Sequence, residues 1–296
     1  MRKSIITDQI SMDLETALKL AKENGYECVE LHGVWDKTIE DCTDQEVTEI
    51  KRLLIKYKMT VSNLATTIFF MCKLKPDYVL KSFSPSFKTC QGDRVEEHLE
   101  GLKRACEIAK ALDCPNIRIF PFRYPENHIL VGTDEDLDLI TQHFAKALKI
   151  VQPYAVSLVV ENCPYSHCPK PEMTLKLIRN LNHPQLKLLY DPANSYRAVK
   201  ERVPAKYLQL SMSEEIDLIK GQIGHIHLKN YAYDPQFEKP FVHVNLTQGD
   251  LNYTEIISQL KRNGYDQALS LEPEVPVENV VENMKALNGL LREIWV

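Results

Sequence analysis

Residues 156–161, VSLVVE, and residues 186–191, LKLLYD, are short apolar runs that each stop on a carboxylate. A strand with one face in water alternates apolar and polar residues. A run that is apolar at nearly every position belongs to a parallel sheet covered on both faces. Six more stretches read as strands: 3–7 (KSIIT), 27–32 (ECVELH), 59–65 (MTVSNLA), 115–121 (PNIRIFP), 223–228 (IGHIHL) and 267–272 (QALSLE).

Amphipathic runs separate them. In 13–24, Leu14, Ala17, Leu18 and Ala21 share one helical face, and Gly25 follows as a stop. Helical spacing recurs over 94–112, 134–151, 172–181 and 253–263, the last closed by Gly264. A final helix covers 279–294 within a C-terminal segment 279–296. Strand then helix, eight times in 296 residues, predicts a single α/β domain over 1–296 built as a (β/α)8 barrel. No Ser/Gly-rich linker and no internal repeat divides it. The longest break, 66–93, carries Phe69, Phe70, Tyr78, Phe83 and Phe87. It reads as an active-site lid or, equally, as a cover for the barrel rim or an oligomer contact.

Composition narrows the function. Lys+Arg 36 against Asp+Glu 41 leaves a net charge of −5, with no basic stripe for a nucleic-acid backbone. Only 10 glycines occur, and neither GxGxxG nor a Walker A motif is present, which argues against a nucleotide held in a glycine loop. No stretch of about 18 apolar residues exists to span a membrane. The N-terminus lacks the apolar core of a signal peptide. The eight cysteines include no CxxC pair and read as reduced thiols of a cytoplasmic protein.

Four successive strands end on groups that do chemistry: Glu161, Asp191, His227 and Glu272. Any one of them alone would be an N-cap or a surface ion pair. In a (β/α)8 barrel the C-terminal strand ends meet at one mouth. Three carboxylates gathered there repel one another unless a cation sits among them. Oxygen donors with one imidazole suit one divalent ion: Mn²⁺, Mg²⁺, Co²⁺ or Zn²⁺.

These motifs, with GYECVELH (25–32), RACEIAKALDCPNIRIF (104–120), VVENCP (159–164), LLYDPANSYRA (188–198), IGHIHLKN (223–230) and TQGDLNYTEIISQLKRNGYDQALSLEPE (247–274), resemble the xylose isomerase-like TIM barrels, the sugar phosphate isomerase/epimerase group. The resemblance implies that Glu161, Asp191, His227 and Glu272 bind the metal. It also implies that Glu161 and Glu272 are the catalytic acid and base across a sugar carbon. The implied substrate is a small sugar, sugar phosphate or related ketone, and the implied assembly a homo-oligomer. His225, Asn194, Lys229, Arg123, Glu30 and His167 are the candidate substrate contacts. For Lys229 the alternative is a solvated loop lysine, and for Arg123, a phosphate clamp by its position, a surface salt bridge. The chain departs from many relatives at Asn230, where HLKD would end in Asp, at Cys163, and at Asn194, histidine in several of them. A metal-dependent dehydratase of a polyol ketone is the alternative reaction. Abasic-site endonuclease is a third reading, disfavoured by Asn194 and the net charge, and a non-enzymatic binding module a fourth.

Overall fold

The protein is described by a computed structural model covering residues 1–84, 87–90 and 92–294. Pro85, Ser86 and Gln91 of the 66–93 segment, and Trp295 and Val296 of the C-terminal segment, lie outside the described residues.

Eight parallel strands form the centre: β1 (Arg2–Ile5), β2 (Cys28–Leu31), β3 (Thr60–Ile68), β4 (Asn116–Ile119), β5 (Ser157–Glu161), β6 (Leu186–Tyr190), β7 (Ile223–Leu228) and β8 (Ala268–Leu271). Their order is β1-β8-β7-β6-β5-β4-β3-β2. A parallel bridge between Ile6 and Glu30 joins the two end strands, so the sheet closes as a barrel. The helices are α1 (Leu14–Glu23), α2 (Asp44–Tyr57), α3 (Val95–Ala111), α4 (Asp134–Val151), α5 (Pro171–Leu181), α6 (Pro192–Tyr196), α7 (Met212–Ile219), α8 (Tyr253–Arg262) and α9 (Val277–Ile294).

The expected face of α1 (Leu14, Ala17, Leu18 and Ala21) is buried. Gly25 and Gly264 take positive φ just past the ends of α1 and α8, as helix-stopping glycines do. α2 and α7 lie outside the helical stretches expected from spacing. Each starts with a reciprocal cap, Thr43 with Glu46 and Ser211 with Glu214.

Three strands end away from expectation. β1 stops at Ile5 instead of 7. β3 runs on to Ile68 instead of stopping at 65, because Thr66 and Thr67 find partners inside the protein. The Thr66 hydroxyl donates to the Arg118 carbonyl, and the Thr67 N–H donates to Glu40 Oε1 at 3.1 Å. β4 is shorter than 115–121, since Pro115 and Pro121 bracket it and Phe122 takes positive φ. Beyond β7 the chain forms a hairpin, Asn230–Tyr233 against Phe241–Val244, where no strand was expected.

Most buried apolar side chains form one continuous core between barrel and helices. A small second cluster, Phe70, Phe120 and Cys163 with Phe83, Phe87 and Tyr165 packed on it, sits apart. Of the five aromatics in 66–93, Phe69 and Tyr78 belong to the main core, while Phe70, Phe83 and Phe87 belong to this second cluster. All eight cysteines are free and buried. Among the described residues no helix is long and apolar enough to cross a membrane.

Candidate metal centre and its cavity

Glu161 is the last residue of β5, and Asp191 directly follows β6. His227 lies one residue before the end of β7, and Glu272 directly follows β8. One donor atom from each lies within 4.8 Å of the others. Parallel strands in register bring this about: Leu189 pairs with Glu161 and with His225, and Ser270 pairs with His227.

The histidine is oriented from behind. Glu30, fully buried at the end of β2, takes His227 Nε2 at 3.0 Å and His225 Nε2 at 2.9 Å. Asn63 donates to the same carboxylate at 2.6 Å. With Nε2 engaged, His227 Nδ1 faces Glu272 at 3.3 Å and Glu161 at 3.9 Å. Burial opposes charge on Glu30, yet His227 and His225 hold its carboxyl well below the usual range. Burial likewise opposes charge on His227, but Glu30 and Glu272 raise it well above the ordinary histidine value.

Asp191 caps α6 by accepting from the Asn194 N–H at 2.9 Å, and Asn162 brackets its backbone from β5. The Asn194 amide donates to Glu161 Oε1 at 2.8 Å. Arg118, projecting from β4, donates to Glu161 Oε2 at 3.0 Å and lies 3.6 Å from Glu272. Burial pushes Glu161 up to about 7, with Arg118 and His227 pulling down and Glu272 pushing up. Burial would raise Glu272 too, but Lys229 and His227 hold it well below the usual range. The two glutamates therefore sit in opposite electrostatic surroundings.

Lys229 is not a solvated loop lysine. It is 4% exposed, and its ammonium lies 2.7 Å from Glu272, 2.8 Å from Glu274 and 3.0 Å from Asp191.

The four donors fit a divalent ion. His227 Nδ1 and Asp191 Oδ2 are buried and make no hydrogen bond; the first faces Glu272 at 3.3 Å and the second is in ion-pair contact with the Lys229 ammonium at 3.0 Å, so each keeps a lone pair that a divalent ion could take. Hard oxygen donors plus one imidazole match Mn²⁺, Mg²⁺, Co²⁺ or Zn²⁺.

A cavity of about 170 Å³ opens beside them. Its wall includes Arg118, Glu161, Asn194, Lys229 and Glu272, together with Phe70, Phe83, Phe87 and Tyr165. That volume suits a molecule smaller than the drug-sized ligands of pockets of roughly 300–1,000 Å³. A larger groove of about 790 Å³ lies at the other end of the barrel, lined by Arg2, Lys3, Glu27 and Asn288, away from the strand-end carboxylates.

The remaining candidates stand off the cavity wall. Glu30 and His225 form the support behind His227. His167 is fully buried, with Nδ1 3.4 Å from Asp136 and its ring stacked on Tyr78. Arg123 is buried among aromatic rings and is not in a surface salt bridge. Sequence reasoning did not assign Arg118, Arg197, Gln9 or Tyr165 to the site, yet all four line the cavity. A signal existed for Arg118, a charge inside the apolar run IRIF. None marks Arg197, which a short helix carries to the mouth.

Comparisons with known proteins agree with this architecture. An uncharacterized protein of Methanocaldococcus jannaschii is 24% identical over 198 residues, 64% of this chain. The match spans 61% of that relative, less than two thirds of its length. A crystal structure of the IolI protein with a zinc atom superposes with a TM-score of 0.73 at 16% identity, covering 99% of this chain and 98% of that one. A D-tagatose 3-epimerase-like protein gives 0.70 at 17% identity, covering 99% and 98%. At such identities these structures establish a shared fold. The family model described as xylose isomerase-like TIM barrel matches residues 18–290, and the chain belongs to that family.

Proposed function

We propose that this protein is a divalent-metal-dependent isomerase or epimerase of a small sugar, sugar phosphate or related ketone. The observation that carries the reading is the convergence of Glu161 and Glu272 with Asp191 and His227 at one end of the barrel, beside a small polar–aromatic cavity. The likeness to a zinc-bound protein and to a D-tagatose 3-epimerase-like protein supports it. When bound, the ion would polarise the substrate carbonyl and steady the charge that develops on its oxygen. Asp191 and His227 serve only as ligands in this scheme, while Glu161 and Glu272 also move protons. One glutamate takes the proton from the carbon next to the carbonyl, leaving an enediolate, and the other delivers a proton. Delivery to the same carbon from the opposite face gives an epimer. Delivery to the neighbouring carbon, with the hydroxyl proton passing from one oxygen of the enediolate to the other, gives the aldose–ketose isomer. Arg118 and Asn194 hold Glu161 in place through both its oxygens. The eight free, buried thiols support a reducing, cytoplasmic setting.

The test uses ketoses and ketose phosphates with Mn²⁺ in D₂O. Deuterium entering the substrate without loss of water is the expected result. Loss of water would instead assign a dehydratase. Glu161→Gln and Glu272→Gln should each abolish exchange while circular dichroism stays native, and wild-type exchange in either variant would overturn the acid/base roles. Metal analysis should return about one divalent ion per chain.

A further inference from the structure

Two arginines meet the ring of Tyr165 at the edge of the cavity, and neither has an acidic partner among the described residues. Arg123 follows β4 and is 3% exposed. Its guanidinium carbon lies 5.0 Å from the Tyr165 ring centre and 5.4 and 5.2 Å from those of Phe70 and Phe83. Its Nε and Nη1 are buried with no hydrogen-bond partner. Arg197 directly follows α6 and lines the cavity. Its guanidinium carbon lies 4.9 Å from the same Tyr165 ring and 5.2 Å from Tyr231. It donates to the Tyr231 hydroxyl at 2.8 Å and to the Tyr165 hydroxyl. Phenols are neutral, and these two bonds use two of its five donors.

The other cations on the cavity wall are neutralised. Arg118 is paired with Glu161, and Lys229 with Asp191, Glu272 and Glu274. Glu274 is shared further with His243. Among the described residues no carboxylate forms an ion pair with Arg123 or Arg197. For Arg123, a buried guanidinium without an anion is unfavourable, and aromatic faces compensate only in part, while Arg197 is half-buried. An anion supplied from outside completes the site.

We infer that the substrate carries an anionic group, phosphate or carboxylate, which Arg197 binds directly while Arg123 adds positive potential from behind the aromatic wall. This rests on the proposed reaction at Glu161 and Glu272. The reacting end of the molecule then lies on the carboxylate side of the cavity and the charged end on the tyrosine side. A guanidinium with free donors matches the paired oxygens of either anion.

Three probes share carbons 1–5 and differ at carbon 6: D-fructose, D-fructose 6-phosphate and D-fructuronate. Calorimetric titration of the Mn²⁺-loaded protein should show at least one anionic probe binding ten-fold or more tighter than fructose. The tighter of the two identifies the anion. Arg197→Met should remove that advantage, by roughly ten- to a hundred-fold in Kd, and Arg197→Lys should restore part of it. Arg123→Met should reduce it without touching fructose binding. If neither anionic probe outbinds fructose, or the advantage survives in both methionine variants with native melting, the inference falls. The readout is independent of turnover. Anion preference without deuterium exchange would sink only the isomerase reading, and exchange without anion preference only this one.

Discussion

Arg118 shows how single residues organise the site. Its guanidinium donates to the Thr66 and Ala65 carbonyls and to Glu161, all inside the protein. Removing it leaves a buried carboxylate with a weakened set of partners. Arg118→Met should destabilise the fold by about 3 kcal/mol, as loss of one member of a buried pair does, measured by urea unfolding. A change indistinguishable from zero would show that Glu161 is carried by Asn194 alone. Glu172, at the start of α5, gives a pH signature. Burial and then the charge of Glu215 push its carboxyl up to about 7, against the pull of Lys170. Its folded pKa exceeds the unfolded value of about 4.3. Its contribution to stability is therefore complete at acid pH and is lost as pH climbs through 7. Glu172→Gln should melt higher than wild type at pH 8 and alike at pH 4, below the unfolded value. Equal melting at both would refute the shift.

At the scale of elements, caps and stops decide where the chain turns. Thr43 accepts from the Glu46 N–H at 3.3 Å, while Glu46 accepts from the Thr43 N–H at 2.7 Å. This reciprocal cap starts α2, whose buried face of Val47, Ile50, Leu53 and Leu54 closes one side of the barrel. Thr43→Ala should cost about 1 kcal/mol in chemical denaturation. A loss near zero would mean that packing alone defines this terminus. The extension of β3 shows how tertiary context overrides local signals. Thr66 and Thr67 resemble loop polarity in sequence, yet Arg118 and Glu40 supply partners that keep them in the strand.

For the whole molecule, the four candidate ligands come from four consecutive strands, so an ion bound there would tie one side of the barrel together. A ligand that binds the folded chain alone stabilises it by about 2.7 kcal/mol at a hundred times its Kd. Mn²⁺ should raise the Tm, chelation should reverse the rise, and Asp191→Asn should abolish it. A Tm indifferent to Mn²⁺ would count against the metal centre.

The amino-acid order by itself determined the barrel, because fully buried parallel strands must be apolar throughout and each must be followed by a one-faced helix. It also marked Glu161, Asp191, His227 and Glu272, because a charged group closing an apolar run stands out locally. Other features depended on distance in space. Glu30 meets His227 across 197 residues, Lys229 is buried because carboxylates from two distant segments, Asp191 and the Glu272–Glu274 stretch, surround it, and Arg197 reaches Tyr165 only through the turn of α6. Burial and ion pairing depend on what folding brings alongside a residue, so no local pattern encodes them, and only the tertiary structure could decide them.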